Sequence, residues 1–257
     1  MGLELTAARV ILITGGGGGM GRAVAARFMA QGDTVVISDR TEAMLADAAR
    51  DLPGVATVVA DVTSVAECKR MVAETRAAQG RLDVLVVTAG VWVEGDSADM
   101  TEEQWDHVLD VNLKGAFFSC RFAIPALQET GGSIVCISSD YGLVGGPGAA
   151  LYCASKFGLN GLVKSLALEL APSGVRVNSI CPTDVDTPML QGQATTYGGD
   201  DPKAYLRTLL DTVPQGDRAR FIRADEIAAA VAFLASSEAE PITGVCLPVD
   251  WGVTAGY

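Results

Sequence analysis

The stretch RVILITGGGGGMG, residues 9 to 21, decides the fold. The run from Arg9 to Thr14 is apolar and β-branched and predicts a short strand, and the amphipathic segment from Arg22 to Gln31 predicts a helix. Dinucleotide binding requires a strand, a glycine-rich turn and a helix in this order, because backbone N–H groups and the helix dipole hold a pyrophosphate. We expect these contacts from Gly15, Gly18, Gly19, Met20 and Gly21.

The end of the second predicted strand bears on the choice of cofactor. Asp39 and Arg40 follow the run from Thr34 to Ser38. A carboxylate at this place can accept both ribose hydroxyls of an adenosine and repels a 2′-phosphate, so the sequence favours NAD over NADP. Arg40 could partly neutralise that repulsion, and Asp39 could instead cap the next helix.

Strands and helices alternate along the rest of the chain, which predicts an α/β, three-layer, doubly wound parallel sheet, the Rossmann fold. We expect a single domain over residues 1 to 257. The segment from about 188 to 223 interrupts the alternation and is predicted to be a substrate lid. The predicted strands are residues 9–14, 34–38, 55–60, 82–88, 133–138, 175–180 and 245–249.

Two further strand ends should border the cofactor, because ligands of open α/β sheets bind outside the carboxyl ends of the strands. Asp61 and Val62 follow the third strand, where Asp61 could face the adenine or cap the helix that begins near Ser64. Ala89 and Gly90 follow the fourth strand, and their small size lets a cofactor approach.

Three polar sites have the character of catalytic groups. Tyr152 and Lys156 are four residues apart at the start of a predicted helix, so the two side chains share a face. Bringing a phenol from a pKa near ~10 to near ~7 takes about 4 kcal/mol, and an adjacent ammonium can supply much of it. Ser139 ends the fifth strand. Asn112 lies in a predicted helix over residues 101 to 129, where the sequence DVNLKG is poor helix chemistry and indicates a kink or a buried polar role.

Together these residues resemble the short-chain dehydrogenase/reductase family from about Arg9 to Ala255. The motif Thr14-Gly15-x-x-x-Gly19-x-Gly21 matches the family's cofactor turn, and Asn112, Ser139 and Tyr152-x-x-x-Lys156 match its catalytic positions. The resemblance implies reversible hydride transfer between a nicotinamide and a carbon bearing a hydroxyl or carbonyl group. Tyr152 would be the general acid/base, Lys156 would lower its pKa and bind the ribose, Ser139 would bind the substrate oxygen, and Asn112 would hold a water.

The resemblance also implies which residues border the nicotinamide and how the chain assembles. Pro182, Thr183, Val185 and Thr187 should lie beside the nicotinamide, and family members form tetramers through the helices predicted here at 101–129 and 149–170.

Two stretches depart from the family's motifs. The family's Asn-Asn-Ala-Gly is Val-Thr-Ala-Gly at residues 87 to 90, and its Pro-Gly after the sixth strand is Pro-Thr-Asp at residues 182 to 184.

Composition and charge exclude several classes of partner. The chain has 31 acidic and 19 basic residues and a net charge of -12, which repels nucleic acid and anionic membranes. The sequence contains neither a signal peptide nor an apolar run of ~18 residues, so we expect a cytoplasmic protein. Met1 to Thr6 formally match a myristoylation pattern, but nothing polybasic follows. His107 is the only histidine and the six cysteines are scattered, so no metal site is expected.

The predicted substrate pocket is mostly apolar or aromatic, which favours an alicyclic, steroid-like, terpenoid or aliphatic secondary alcohol or ketone. Reduction of a 3-oxoacyl thioester, carried on acyl carrier protein or coenzyme A, is the leading enzymatic alternative. A dinucleotide-binding sensor or scaffold without catalysis is the alternative from another class. The predicted pocket residues are Trp92, Val93, Asp140, Tyr141, Leu143, Val144, Thr183, Asp184, Met189 and Leu190.

Overall fold

The computed structural model describes residues 8 to 256 of the chain. The match to a myristoylation pattern at residues 1 to 6 and the two ends of the predicted 1–257 domain lie outside the described residues.

Seven parallel strands form one sheet in the order β3-β2-β1-β4-β5-β6-β9, which confirms the predicted α/β Rossmann fold. The order reverses between β1 and β4, and in such sheets the crevice at this reversal binds the ligand. A short parallel pair, β7 and β8, stands apart from the main sheet. The strands are β1 (Val10–Thr14), β2 (Thr34–Asp39), β3 (Ala56–Val59), β4 (Val84–Val87), β5 (Ser133–Ile137), β6 (Arg176–Pro182), β7 (Val185–Asp186), β8 (Ile222–Arg223) and β9 (Cys246–Val249).

Helices cover both faces of the sheet, so the central strands are apolar at nearly every position. Along β1, Leu12 belongs to the core on one face, whereas Ile11 and Ile13 belong to the core on the other, and all three are fully buried. The helices are α1 (Gly19–Ala30), α2 (Glu42–Asp51), α3 (Val65–Gln79), α4 (Glu102–Leu109), α5 (Ala116–Thr130), α6 (Ala150–Leu170), α7 (Pro188–Tyr197), α8 (Pro202–Leu210) and α9 (Ala224–Leu234).

The helix predicted over residues 101 to 129 is not continuous. A turn of π-helix from Asp110 to Gly115 separates α4 from α5. The wider turn places Asn112 inside the protein, where it is 1% exposed. Gly115 ends the π-helical turn and packs tightly against the loop after β3. A Cβ on Gly115 would lie 2.9 Å from the carbonyl oxygen of Val62. The irregular sequence therefore marks an internal polar position, as π-bulges often do.

The segment from 188 to 223, predicted from its composition to be an insert, is itself helical. It contains α7 and α8, which pack on each other. Val185 of β7 pairs with Ile222 of β8, so the two ends of the segment are fastened together beside the main sheet.

Within residues 8 to 256, no helix has the length and apolar character that crossing a membrane requires.

The close packing of the glycine turn generates a stability prediction. A Cβ on Gly21 would overlap the carbonyl oxygen of Gly15, so we expect Gly21→Ala to lower the free energy of unfolding by about 1–3 kcal/mol and to weaken dinucleotide binding. Gly161→Ala is the matched control. No described atom lies within 4 Å of that Cβ, and a mid-helix alanine should add about 0.5–1 kcal/mol. Denaturant unfolding measures both, and a Gly21→Ala variant as stable as the parent would contradict the packing.

Candidate active site

The glycine turn between β1 and α1 packs against the end of β4 with no room for side chains. Gly15 has a φ of 67°, in the left-handed region, and a Cβ there would lie 2.6 Å from the backbone nitrogen of Ala89. On the other side of the turn, a Cβ on Gly19 would lie 2.9 Å from Cγ2 of Thr187. Gly18 is the N-cap of α1, and in the described residues no side chain caps this helix start. The backbone N–H groups of the first turn thus face a ligand site rather than a capping oxygen.

A cavity of about 700 Å³ lies over this turn and reaches from the end of β2 to the inner face of α7. Most of the residues predicted to bind a cofactor line it. They are Gly15, Gly18, Gly19, Met20, Gly21, Asp39, Arg40, Asp61, Val62, Ala89, Gly90 and Thr187. The predicted residues Pro182, Thr183 and Val185, at and after the end of β6, and the pair Tyr152 and Lys156 are outside this lining.

Several lining residues were not predicted from the sequence as cofactor contacts. His107, which the sequence places on an exposed helix position, reaches the cavity from α4. Trp92 follows β4, and Gly192, Gln193 and Tyr197 come from α7. Their only signal in the sequence is a place just after a strand or on a helix that covers the strand ends.

Asp39 is almost fully buried at the end of β2. Its carboxylate accepts hydrogen bonds from backbone N–H groups outside the next helix and does not cap that helix. One oxygen accepts from the N–H of Gly17 at 3.0 Å and the other from the N–H of Arg40 at 2.8 Å. Thr41 is the N-cap of α2, since its side chain accepts from the N–H of Met44. The alternative in which Asp39 caps that helix is therefore wrong, and the carboxylate lines the cavity.

Asp61 does not cap the helix that follows it, so that alternative is wrong. Its Oδ1 accepts from the backbone N–H of Thr63 at 2.9 Å and from the Thr63 hydroxyl at 2.8 Å, which shapes the turn before α3. Ser64 is the N-cap of that helix. Asp61 also lines the cavity.

The π-helical turn puts Asn112 beside the end of β4. Its amide nitrogen donates to the carbonyl oxygen of Val91 at 3.0 Å and to the hydroxyl of Ser155 at 3.1 Å, while its oxygen accepts from the N–H of Val91 at 2.8 Å. A Cβ on Gly90 would lie 3.5 Å from this oxygen and 3.7 Å from the Lys156 ammonium nitrogen. Asn112, Gly90 and Lys156 therefore meet at one place.

Lys156 lies one turn along α6 from Tyr152, and its charge is buried. The ammonium donates to the carbonyl oxygen of Ile137 at 2.9 Å and lies 5.5 Å from the centre of the Tyr152 ring. Because burial disfavours the charged form, the pKa of Lys156 is lowered to about 8.

Ser139 and Tyr152 are adjacent, but the electrostatics of the phenol differ from the sequence-based expectation. Burial raises the pKa of Tyr152 above its ordinary value, the Ser139 hydroxyl lowers it, and the carboxylates of Asp140 and Asp184 raise it further. The Lys156 ammonium donates to the Ile137 carbonyl, and burial is the largest influence on the pKa of Tyr152. In this arrangement the neutral form of the Tyr152 phenol is favoured.

The Ser139 hydroxyl is bonded to the carboxylate of Asp140. That hydroxyl donates to Asp140 Oδ1 at 2.7 Å, and the same oxygen accepts from the backbone N–H of Tyr141 at 2.8 Å. Burial raises the pKa of Asp140. Burial, and then the nearby Asp140, raise the pKa of Asp184 to about 7. The catalytic side of the site is thus apolar, aromatic and acidic.

The two departures from the family motifs have different consequences. Thr88 replaces an asparagine, and its hydroxyl donates to the carbonyl oxygen of Thr14 at 2.5 Å, which ties the ends of β4 and β1 together. In the altered segment after β6, the carbonyl oxygen of Val185 accepts from the Thr187 hydroxyl at 3.2 Å. Val185 is buried in the short β7 strand, so its side chain serves packing.

Comparisons with known proteins agree with this geometry. A family model described as enoyl-(acyl carrier protein) reductase matches residues 16 to 254. The meso-2,3-butanediol dehydrogenase of Serratia marcescens is 38% identical over 249 residues, which covers 96% of this chain and 95% of that protein.

The chain belongs to the short-chain dehydrogenase/reductase family.

Two solved structures of the family are also similar. A single-residue variant of actinorhodin polyketide ketoreductase, solved with NADPH, superposes with a TM-score of 0.91 at 33% identity, covering 96% of this chain and 97% of that one. The 3-ketoacyl-(acyl-carrier-protein) reductase of Brucella melitensis, solved with NADH, has a TM-score of 0.85 at 31% identity, covering 96% and 98%. The protein is an oxidoreductase of alcohols and ketones that uses a nicotinamide dinucleotide, so the non-enzymatic alternative is wrong.

The residues present fit that dinucleotide. A Cβ at Gly15 or Gly19 would fill the space where the glycine turn approaches its neighbours, and the helix start faces the cavity without a capping side chain in the described chain. A buried carboxylate, Asp39, closes the far end. In residues 8 to 256 no group of His, Cys, Asp and Glu side chains is arranged to hold a metal ion.

The raised pKa of Asp184 generates a prediction about stability and pH. Between the ordinary carboxyl pKa and about 7, the folded protein keeps a proton that the unfolded chain releases, so stability falls as pH rises through this window. We expect Asp184→Asn, which does not titrate, to gain about 1–3 kcal/mol relative to the parent between about pH 5 and about pH 8. Chemical unfolding at both pH values measures this. Asp186→Asn, which alters an exposed carboxylate two residues along the chain, should show no such gain, and an equal gain in both variants would contradict the assignment.

Proposed function

We propose that the protein is an NAD-dependent dehydrogenase that interconverts a neutral, apolar secondary alcohol and its ketone, with Tyr152 as the general acid/base. The observation that carries the proposal is the convergence of four polar side chains, Asn112, Ser139, Tyr152 and Lys156, at the carboxyl ends of β4 and β5. They adjoin a cavity built by the glycine turn, whose lining includes Gly90, the neighbour of both Asn112 and Lys156.

Each of the four side chains has a separate part in the reaction. The nicotinamide supplies or accepts the hydride when it is bound. In ketone reduction Tyr152 donates its proton to the substrate oxygen. Ser139 turns its one hydroxyl proton from Asp140 Oδ1 and donates a hydrogen bond to the same substrate oxygen. Lys156 stabilises the phenolate that remains. In alcohol oxidation the same proton moves in the opposite direction.

The proposed role of Asn112 as the holder of a water is limited by its bonds. Both amide protons are used, by Val91 and Ser155, and one lone pair of its oxygen accepts from Val91. One lone pair is left, which can accept one hydrogen bond from a water beside Lys156. The larger part of the Asn112 side chain therefore holds the backbone next to Gly90.

The choice of NAD rests on Asp39. The carboxylate is buried at the end of β2 and lines the cavity, where it would face the hydroxyls of the adenosine ribose. A 2′-phosphate would place two like charges in contact. Arg40 is exposed on the same side and lines the cavity too, which favours the phosphate. A buried charge acts more strongly than an exposed one, so the balance supports NAD.

The character of the substrate follows from the charges near the site. Asp140 and Asp184 stand beside Ser139 and Tyr152, which disfavours an anionic substrate. An acidic carrier protein would need free basic residues on the 188–223 segment, and three of its arginines are paired: Arg207 with Asp201, Arg220 with Glu226 and Arg223 with Asp225. These pairs favour a small neutral alcohol over a carrier-bound thioester.

We also propose that residues 188 to 223 form the substrate lid of a single domain. Of the predicted pocket, Trp92 and Met189 line the cavity, whereas Leu190 is a buried residue of α7 outside that lining. Of the nicotinamide-side residues, Thr187 reaches the cavity, and we assign Pro182, Thr183 and Val185 to the wall behind it.

A homotetramer and a cytoplasmic location complete the proposal. Phe117, Phe157 and Leu168 on α5 and α6 are exposed, with Leu168 81% exposed, and large apolar patches on a single chain support association. The six cysteines are free thiols, as is usual in a reducing compartment.

Replacing the general acid tests the mechanism. We expect Tyr152→Phe to lower turnover by about 10²–10⁴-fold because the proton transfer is lost, while NADH binding, followed by its fluorescence, is unchanged. Turnover is measured by the absorbance of reduced cofactor with a panel of neutral secondary alcohols and ketones, and in parallel with a 3-oxoacyl thioester. Full turnover by Tyr152→Phe would remove that residue from its role. Faster reduction of the thioester than of every ketone would favour the alternative function.

The cofactor preference has its own test in two adjacent residues of opposite charge. We expect Asp39→Asn to raise the ratio of kcat/KM for NADP to that for NAD by about tenfold or more, because about 1.4 kcal/mol of repulsion is tenfold. Arg40→Gln should lower the same ratio. If Asp39→Asn leaves the ratio unchanged, the carboxylate does not discriminate between the two dinucleotides.

A further inference from the structure

Glu94 joins the loop after β4 to both helices of the 188–223 segment, through its carboxylate to α8 and through its backbone N–H to α7. Glu94 Oε2 accepts from the indole N–H of Trp92 at 3.1 Å and from the hydroxyl of Tyr205, on α8, at 2.7 Å. The backbone N–H of Glu94 donates to the hydroxyl oxygen of Tyr197, the last residue of α7, at 3.3 Å. Hydrogen bonds to an ionised acceptor are stronger than neutral ones, so this half-buried group is a firm connection between distant parts of the chain.

The indole that Glu94 holds lies directly against the catalytic tyrosine. The rings of Trp92 and Tyr152 meet edge to face, with 4.5 Å between their centres and 60° between their planes. Tyr141 stacks on Trp92 with 5.9 Å between ring centres. Tyr141 itself packs on Gly146, where a Cβ would be 2.5 Å from its Cζ. Trp92 is thus confined on two sides by aromatic rings and on a third by a hydrogen bond.

Trp92 also marks the boundary between the cofactor cavity and the phenol. Trp92 lines the cavity, and its indole contacts the ring of Tyr152, which is outside the lining formed by the described residues. A substrate whose oxygen reaches Tyr152 therefore places its carbon skeleton against the indole. The flat, apolar indole packs well against the ring of an alicyclic substrate and poorly against a short, flexible acyclic substrate.

We propose that Trp92 is a specificity-determining residue that selects alicyclic over short acyclic alcohols, and that Glu94 is its positioning residue, held by Tyr205 and Tyr197. The inference rests on the proposed function, since it takes Tyr152 to be the proton donor. It adds the wall on which the substrate lies and the residue that orients this wall. The bond from the indole N–H to Glu94 fixes the rotation of the ring, which packing against Tyr152 and Tyr141 alone does not.

A purely structural role for Glu94 has different consequences. If Glu94 only fastens α7 and α8, removing its partners lowers stability and leaves the order of substrates unchanged. If it orients Trp92, the same changes alter the order of substrates. Tyr205→Phe separates the two, because it deletes one hydroxyl and leaves the ring in place.

The experiment compares kcat/KM for cyclohexanol with that for 2-butanol in the full-length protein. We expect Trp92→Ala to lower the value for cyclohexanol by about 10–100-fold and that for 2-butanol by less than about threefold, which lowers the ratio of the cyclohexanol value to the 2-butanol value by at least about threefold. Trp92→Phe should have an intermediate effect. Glu94→Ala and Tyr205→Phe should also lower this ratio. Glu94→Gln keeps an acceptor oxygen, so its ratio should lie between that of Glu94→Ala and that of the parent. Trp105→Ala, an exposed position on α4, is the control.

A second readout does not depend on turnover. The sequence contains three tryptophans, and with Trp105 and Trp251 replaced by Phe the emission reports on Trp92 alone. In that background we expect Glu94→Ala and Tyr205→Phe to shift the emission to longer wavelength and to increase quenching by acrylamide. Unchanged emission and quenching would show that Glu94 does not hold the indole.

Failure of the inference and failure of the proposed function give different results. If the parent enzyme oxidises neither alcohol, the proposed function is wrong, and the fluorescence still reports on the contact between Glu94 and Trp92. A second case is an active parent in which Trp92→Ala and Trp92→Phe each change kcat/KM for the two alcohols by factors that agree within about threefold. In that case the specificity role of Trp92 is overturned and the proposed function stands. If Tyr205→Phe changes stability alone, Glu94 is a structural residue.

Discussion

The close approach of the first turn to the fourth strand is the constraint on which the rest of the structure depends. Gly15 lies against the backbone of Ala89, and a side chain at Gly15 would push the two strand ends apart. A side chain at Gly21 would overlap the carbonyl oxygen of Gly15 within the turn. Because the strand order reverses between β1 and β4, this contact also sets the width of the crevice. The hydroxyl of Thr88 reinforces it through the Thr14 carbonyl. The helix start of α1, the carboxylate of Asp39 and the small residues after β4 face one cavity as a result.

The burial of the Lys156 ammonium is a second constraint on the site. Lys156 is almost fully buried, and a buried ammonium needs acceptors, here the carbonyl oxygen of Ile137. The π-helical turn brings the amide of Asn112 next to the same place, where it organises the backbone of Val91 and the hydroxyl of Ser155. The carboxylates of Asp140 and Asp184 are near enough to raise the pKa of Tyr152. The phenol therefore has an ammonium and two carboxylates in its surroundings, and the carboxylates oppose its ionisation.

The sequence predicted the sheet well because its signals are local. Each strand is a short apolar run, and the glycine turn after Thr14 admits few other structures. The irregular DVNLKG stretch correctly indicated a break, although its form, a wider helical turn, depends on packing between Gly115 and Val62. The pKa of Tyr152 was not predictable, because it depends on burial and on acids far along the chain. The contacts of Glu94 with Tyr197 and Tyr205 were missed for the same reason, since no local pattern marks a bond between distant segments.

The pairing of β7 with β8 has a consequence for how the family could diversify. Val185 and Ile222 pair at the two ends of the α7–α8 segment, so the segment is a loop whose ends are held together. The entropic cost of closing such a loop grows only slowly with its length. Insertions or exchanges between these two residues would thus remodel the cavity wall that α7 forms while the seven-stranded framework stays as it is. The short parallel pair makes that wall a replaceable module.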